Sequence, residues 1–349
     1  MLVKDIANVN PLSKQKYNNF INYIDTSSVY DGKLLNIQKI HSNFPSRAQR
    51  IIGINDILIS SVRPNLLHNY FINKNINNGV ASSGFIHIRV KDNLINPRFL
   101  YYFLTSHNNI SLYSAIAESS QTTIPSFNKD VIENLELPDI SVSKQLLIVD
   151  IIGSLDDKIE NNNKIINKLW QKLQLIHTDF KSKNELVEKN ILELADIKYG
   201  KGIPTSEILK DGLYSVYGSN GIIGYLNNYT FKEHKIAISC RGNSSGIIHL
   251  TDENSTVTSN SLVLDFKNFD YTYYFFLEFM YKGLYEYKTG SAQPQITIDN
   301  LKILNLQVPK NINDYIKNIN DSVEYTFCLK KENQKLFLLK QFYLKKFFG

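Results

Sequence analysis

Cysteine is almost missing from this chain: Cys240 and Cys328 are the only two in 349 residues. Two cysteines without metal-ligand spacing exclude a disulfide framework and a zinc-finger layout, and they fit a reducing cytoplasm. No stretch approaches the roughly 18 consecutive apolar residues of a bilayer-spanning helix. No basic-plus-apolar leader stands at the N-terminus, so no membrane partner is expected. Catalytic signatures are also missing. There is no G-x-x-x-x-G-K-[ST] phosphate loop, no Gly-x-Ser-x-Gly elbow and no Asn-Pro-Pro-aromatic tetrad for holding a flipped adenine. His41, His68, His87, His107, His177, His234 and His249 are scattered without ligand spacing. Asp156, Asp157 and Glu160 group on one helix flank, which reads as a solvated or docking face, not a metal site. The chain is therefore expected to carry no cofactor and not to be an enzyme itself.

Arginine is scarce too. It stands only at positions 47, 50, 63, 89, 98 and 241, so Arg241 serves the last 250 residues alone. Positive charge otherwise comes from lysine. Lys+Arg 39 against Asp+Glu 33 gives a net charge of +6, compatible with a polyanionic partner. A lone arginine in the Gly/Ser-rich loop Arg241–Gly246 is thus a candidate contact.

The chain carries an internal repeat. Gln121 matches Gln293, Ile124 matches Ile296, and Pro138 matches Pro309 with a one-residue gap. Downstream, Asn161-Asn162-Asn163-Lys164 matches Glu332-Asn333-Gln334-Lys335. Each copy reads as a mixed α/β unit followed by a long helix. Asp56–Val62 and Lys235–Cys240 read as strands running into loops, and Gly84–Val90 and Ser261–Phe266 alternate as strands. Asn96–Leu104 and Tyr271–Phe279 read as aromatic helices packed in a core, not as stacking platforms for single-stranded nucleic acid. Asn134–Pro138 and Asn305–Pro309 read as final strands.

The helices carry the clearest periodicity. Ile148, Ile152, Leu155, Ile159, Asn162, Ile166, Leu169, Leu173, Ile176 and Phe180 keep a 4-3-4-3 spacing, a heptad seam with one polar intrusion at Asn162. Such a run makes a rod of roughly 50 Å. The C-terminal seam is less regular: Ile316, Ile319, Val323, Leu329, Leu336, Leu339 and Tyr343. Trp170 and Phe342 lie off the seams, which suggests that the rods also bind something else. Each helix needs an apolar partner. The other helix, running antiparallel, is the nearest, and a parallel homodimer is the alternative. Asn162 and Asn333 would face polar partners there. The expected fold class is α/β (α+β): two mixed α/β units separated by two long antiparallel coiled-coil helices. The divisions are 1–140, 141–185, 186–310 and 311–349.

At Ile152–Asn163 (IGSLDDKIENNN) the sequence resembles the central region of the specificity subunits of type I restriction–modification systems. Tyr217–Tyr225 (YGSNGIIGY), Ile238–Gly246 (ISCRGNSSG) and Thr289–Ile298 (TGSAQPQITI) are similar to blocks of one class of their target-recognition domains. The first unit departs from that pattern, with Arg63-Pro64 where the second has Arg241-Gly242. The resemblance implies a non-catalytic subunit that reads double-stranded DNA. Each recognition domain would read half of a two-part asymmetric site. The helices would set the spacer, about one DNA turn between half-site centres, and dock two methyltransferase (modification) subunits. Those in turn would recruit restriction/translocase subunits.

DNA reading needs donors and acceptors on loops and cations for phosphates. The candidate DNA contacts are Arg63, Ser83, Gln121 and Thr122 in the first unit. In the second they are Lys201, Tyr217, Ser219, Asn220, Arg241, Asn243, Ser244, Ser245, Asn260, Gln293 and Gln295. Arginine can bind guanine, and asparagine adenine, with two hydrogen bonds each. Tyr217 would pack on sugar or support its loop. The candidate subunit interface is Leu155, Ile159, Asn162, Ile166, Leu169, Trp170 and Leu173, with Asn333, Leu336 and Phe342. A coiled-coil assembly protein without a DNA role is the alternative. It accounts for the rods but not for two matched heads with polar loops.

Overall fold

In the computed structural model the described residues are 1–12, 19–91, 95–120, 125–290 and 293–349. Residues 1–161 with 333–349 form one unit and residues 162–332 the other.

The first unit is built on an antiparallel sheet in the order Ala7–Val9, Phe85–Val90, Ile57–Ser60, Asn69–Phe71. Ile57, Leu58 and Ile59 are buried on both faces, the pattern of a central strand. A second sheet runs Gln38–Ile40, Ile21–Ile24, Gly79–Ser82, Ala48–Ile51, with Ile21–Ile24 parallel to Gly79–Ser82. Asn96 caps the aromatic helix Pro97–Leu104, its side chain accepting from the amides of Arg98 and Phe99. That helix buries Phe99, Leu100, Tyr101, Tyr102 and Leu104 in the core. The same core takes Ile148 and Ile152 from the central helix (Val142–Lys183). It also takes Tyr343, Leu344, Phe347 and Phe348 from the C-terminal helix (Asn313–Phe348).

The segment Gly153–Asp157 anchors the aromatic helix. Gly153 leaves room for Arg98, whose guanidinium would lie 3.0 Å from a Cβ there. Arg98 reaches Asp157 at 2.7 Å, and Tyr102 donates to Asp156 at 2.9 Å. Asp156 also holds Lys340 of the C-terminal helix at 2.7 Å. Asp156 and Asp157 on the acidic flank are thus taken up by this chain's own Arg98, Tyr102 and Lys340.

The second unit repeats the first sheet as Ala195–Tyr199, Ser261–Phe266, Ile236–Ser239, Ile248–Leu250. Its smaller sheet runs Gly221–Leu226, Tyr214–Gly218, Thr256–Val257, again with one parallel pair. The aromatic helix Asp270–Lys282 buries Tyr273, Tyr274, Phe275, Phe276, Leu277 and Phe279. The long helices run antiparallel within this unit: Asn162 donates to Glu332 at 2.7 Å, while His177 meets the Tyr315 hydroxyl at 2.9 Å. Asn162 is fully buried and its partner is polar, as expected of a polar residue in a seam.

Three expectations need correction. Trp170 is buried edge-on against Phe276 at 5.4 Å, so this off-seam residue packs on its own unit's aromatic helix. Leu339, placed in the C-terminal seam, is 42% exposed, and the buried position beside it is Lys340. The phase slip in the sequence is real, and it turns Leu339 outward. Asn134–Pro138 is no strand: only Glu136 bridges, to Leu2, whereas Asn305–Pro309 pairs fully with Leu186–Asn190.

Candidate nucleic-acid interface

In the second unit, backbone hydrogen bonds tie the candidate loops into one rim. Ser219 and Asn220 form the two-residue tip of the hairpin closed by Gly218 and Gly221. The Asn260 carbonyl accepts from the Cys240 amide at 3.1 Å and from the Ser219 hydroxyl at 3.3 Å. The Ser239 hydroxyl donates to the Ser219 carbonyl, and the Ser244 hydroxyl donates to the Asn220 side chain. Arg241 bridges Gln295 through the backbone, and Thr289 closes the other side of Gln295 with amide bonds of 2.8 and 2.9 Å. Lys201 joins the rim from the chain before the hairpin: its amide donates to Val257 at 2.8 Å, and its carbonyl accepts from Ser259 at 3.0 Å. Gly200 permits this approach, since a Cβ there would collide with the Thr258 carbonyl.

Within that rim the residues divide into two kinds. Lys201, Asn220, Arg241, Asn243, Asn260, Gln293 and Gln295 are exposed, and Ser219 and Ser244 are half-buried. Tyr217 and Ser245 are buried. The Tyr217 hydroxyl accepts from the Asp252 amide at 3.1 Å, while burial pushes its own pKa up. Tyr217 is a strut under the hairpin, which decides between sugar packing and loop support in favour of support. Ser245 is fully buried, with its hydroxyl 2.8 Å from the Gly242 carbonyl and 2.9 Å from that of Pro294. It holds the arginine loop to the following strap and offers no face to a ligand. Cys240 is buried, and burial raises its thiol pKa against the opposing pull of Arg241. Its role is packing.

The first unit keeps the same hydrogen-bond frame with different side chains. The Ser61 amide donates to Gly84 as Cys240 does to Asn260, and Phe127 donates to Ser61 as Ile296 does to Cys240, each of these last two at 3.0 Å. Val62 bridges Ser126 as Arg241 bridges Gln295. Val62 therefore stands in the place of Arg241. Arg63 stands in the place of Gly242, and both have positive φ, 47° and 71°. Likewise Phe127 is the counterpart of Ile296, not Ile124. At the far end the amides of Val3 and Ile191 both donate at 3.0 Å, to Leu135 and Leu304. Matching Pro138 with Pro309 thus misses the structural register. Gln121, Thr122 and Ile124 lie outside the described residues.

Arg63 is exposed, and Ser83 is half-buried. Ser83 donates to the Arg47 carbonyl at 2.7 Å, as Ser259 does to Lys201. Arg47 is exposed and occupies the cationic place that Lys201 fills in the second unit. Sequence reasoning missed it. The signal was available, because four of the six arginines fall between positions 47 and 89.

In the first unit Asp56 is buried, 2.7 Å from His87 Nε2 and 2.6 Å from Arg89. Burial alone would raise its pKa, but hydrogen bonds from Arg89, His87 and the Gly53 amide together lower it. In the second unit the same cross-strand place holds Lys235 and Asp265 at 2.7 Å, with the signs exchanged. Among the described residues no group of three or more His, Cys, Asp or Glu could hold a metal. No helix of the described residues is long and apolar enough to cross a membrane.

The family model described as the type I restriction modification DNA specificity domain matches residues 2–171 and again 183–340. A specificity subunit of the type I restriction enzyme HindI from Haemophilus influenzae is 34% identical over 155 residues, 44% of this chain and 34% of that protein. A specificity subunit of the type I enzyme MjaVIII from Methanocaldococcus jannaschii is 26% identical over 209 residues, 55% of this chain and 46% of the relative. The matched stretches thus span less than half of either relative. The crystal structure of a type I restriction–modification system S subunit from M. genitalium covers 100% of this chain and 95% of its own. Its TM-score is 0.59 at 16% identity, a likeness of fold.

Proposed function

The chain belongs to the type I restriction modification DNA specificity family, and from that premise we propose that it is the DNA-reading, non-catalytic subunit of a type I restriction–modification enzyme. Each unit reads one half of a two-part duplex site. The carrying observation is the rim in the second unit, where Arg241, Asn220, Asn260 and Gln295 are exposed on loops fixed by backbone hydrogen bonds. A preorganised donor array meets base edges without having to order the loops on binding. One bidentate arginine–guanine pair gives about 1–3 kcal/mol of discrimination. In the first unit Arg63 supplies the equivalent base contact, displaced by one residue from the Arg241 position, and Arg47 stands where Lys201 does. The two rims present different side chains on one frame, the arrangement needed to read two unlike half-sites.

Partners in this reading are two methyltransferase subunits and, through them, restriction/translocase subunits, in the cytoplasm. Base flipping and methyl transfer belong to the methyltransferases. Their docking face includes the exposed residues Phe337, Leu338, Leu339 and Phe342 of the C-terminal helix, 41%, 54%, 42% and 59% exposed. Methylome sequencing of a host expressing this chain with its cognate methyltransferase, against a host lacking only this chain, tests the reading. A two-part methylated motif that depends on the chain is expected. Co-purification of the two proteins without any dependent motif would reduce the chain to a scaffold.

A further inference from the structure

Beside the second rim lies an open cleft of about 450 Å³ lined by Lys198, Lys201, Lys232 and Lys235, with Asp265, Glu233 and Phe231. Two of its lysines are matched by carboxylates. Asp265 receives Lys235 at 2.7 Å and Lys198 at 2.9 Å, and Glu233 lies 3.3 Å from Lys235. Lys198 also sits over the Phe231 ring, 5.1 Å from its centroid. Two carboxylates thus occupy two lysines and hold them in place. Lys201 and Lys232 are exposed, and no carboxylate among the described residues engages either one. The cleft therefore keeps an excess of two positive charges at its mouth. Lys201 belongs to the cleft and, through its bonds to Val257 and Ser259, to the reading rim as well.

Resting on the DNA-reading function argued above, we propose that this cleft seats the phosphodiester backbone of the duplex whose bases face the second rim. Lys201 and Lys232 contact phosphates, and the Lys198–Asp265–Lys235 cluster fixes the wall behind them. The chemistry suits a phosphate: two exposed ammonium groups at the mouth, a wall with no unmatched carboxylate, and a direct backbone link to loops that would touch bases. Contacts of this kind position the duplex without reading its sequence.

The test uses the full chain, assembled with its cognate methyltransferase, and a mixed-sequence duplex of about 30 base pairs, with affinity measured across roughly 50–200 mM salt. Each lost phosphate contact lowers the slope of log K against log salt by about 0.9, so K201A/K232A is expected to lose about 1.8. K201R/K232R, which keeps the charges, is expected to retain the wild-type slope. K302A/K317A, outside the cleft, is expected to retain it as well. An unchanged slope in K201A/K232A, or an equal loss in K302A/K317A, overturns the phosphate seat and leaves the DNA-reading function standing. If the wild-type chain, assembled with its cognate methyltransferase, binds no duplex at the lowest salt, the DNA-reading function itself fails.

Discussion

At Arg63 the backbone pays for a side chain. Its φ of 47° lies in the left-handed region, where a non-glycine residue carries strain of about 1 kcal/mol or more. The matched place in the second unit holds Gly242. Arg63→Gly is therefore expected to leave stability unchanged or raise it by up to about 1 kcal/mol, while weakening duplex binding. Thermal melting and anisotropy read both effects, and a destabilised variant with intact binding would show that Arg63 is structural. A second residue-scale prediction concerns Glu278. Hydrogen bonding from His177 first, then from Lys181, outweighs burial and holds its carboxyl at about 2. Because the folded pKa is depressed, the stability it contributes is fully present above the ordinary carboxylate value, about 4.3. That stability is lost as pH falls from there toward 2. Glu278→Gln should cost on the order of 2–3 kcal/mol at neutral pH and flatten acid unfolding over that window, as chemical denaturation at several pH values would read. A variant that keeps the wild-type acid profile would contradict the assignment. Arg241 stands out at this scale because arginine is so rare in the chain, and it lies exposed on the rim. The buried roles of Tyr217 and Ser245 were not legible in the sequence, since a tyrosine or serine in a glycine-rich loop looks the same whether it faces out or in.

At the scale of elements, the heptad pattern located both long helices, because an apolar period of 3.5 residues sustained over several turns lines up one face of a helix and of no strand. It did not show which off-seam residues face inward. Trp170 and Phe342 look alike in sequence, yet Trp170 is 7% exposed and Phe342 59%. The difference comes from the aromatic helix Asp270–Lys282, which no helical period can reveal. Trp170→Ala should destabilise the second unit by about 3–5 kcal/mol. Phe342→Ala should change stability by less than about 0.5 kcal/mol but weaken co-purification with the methyltransferase. Melting curves and pull-downs on the two variants separate these roles, and the reverse pattern would refute the docking face. The strap preceding Phe127 was misregistered for a related reason. Its side chains differ between copies, and the frame is carried by main-chain bonds such as Phe127 to Ser61.

For the whole molecule, the sequence divides the chain along secondary structure, head then helix, twice. Packing divides it differently: residues 333–349 belong with 1–161, and 162–332 stand together. Each unit is completed by part of each long helix. The aromatic termini Tyr343 to Phe348 reach the first core, where Phe348 lies 5.5 Å from Phe99. That closure depends on contacts distant in sequence, so neither propensity nor periodicity could show it. The repeat itself was legible, and with it the expectation that one frame serves two readers. The most direct test is methylome sequencing of hosts carrying the chain with Arg241→Ala, with Arg63→Ala, or unaltered, each with the cognate methyltransferase. Base preference should relax in one half of the motif for the first variant and in the other half for the second. A motif unchanged by Arg241→Ala, or one variant relaxing both halves at once, would contradict the assignment of one half-site to each unit.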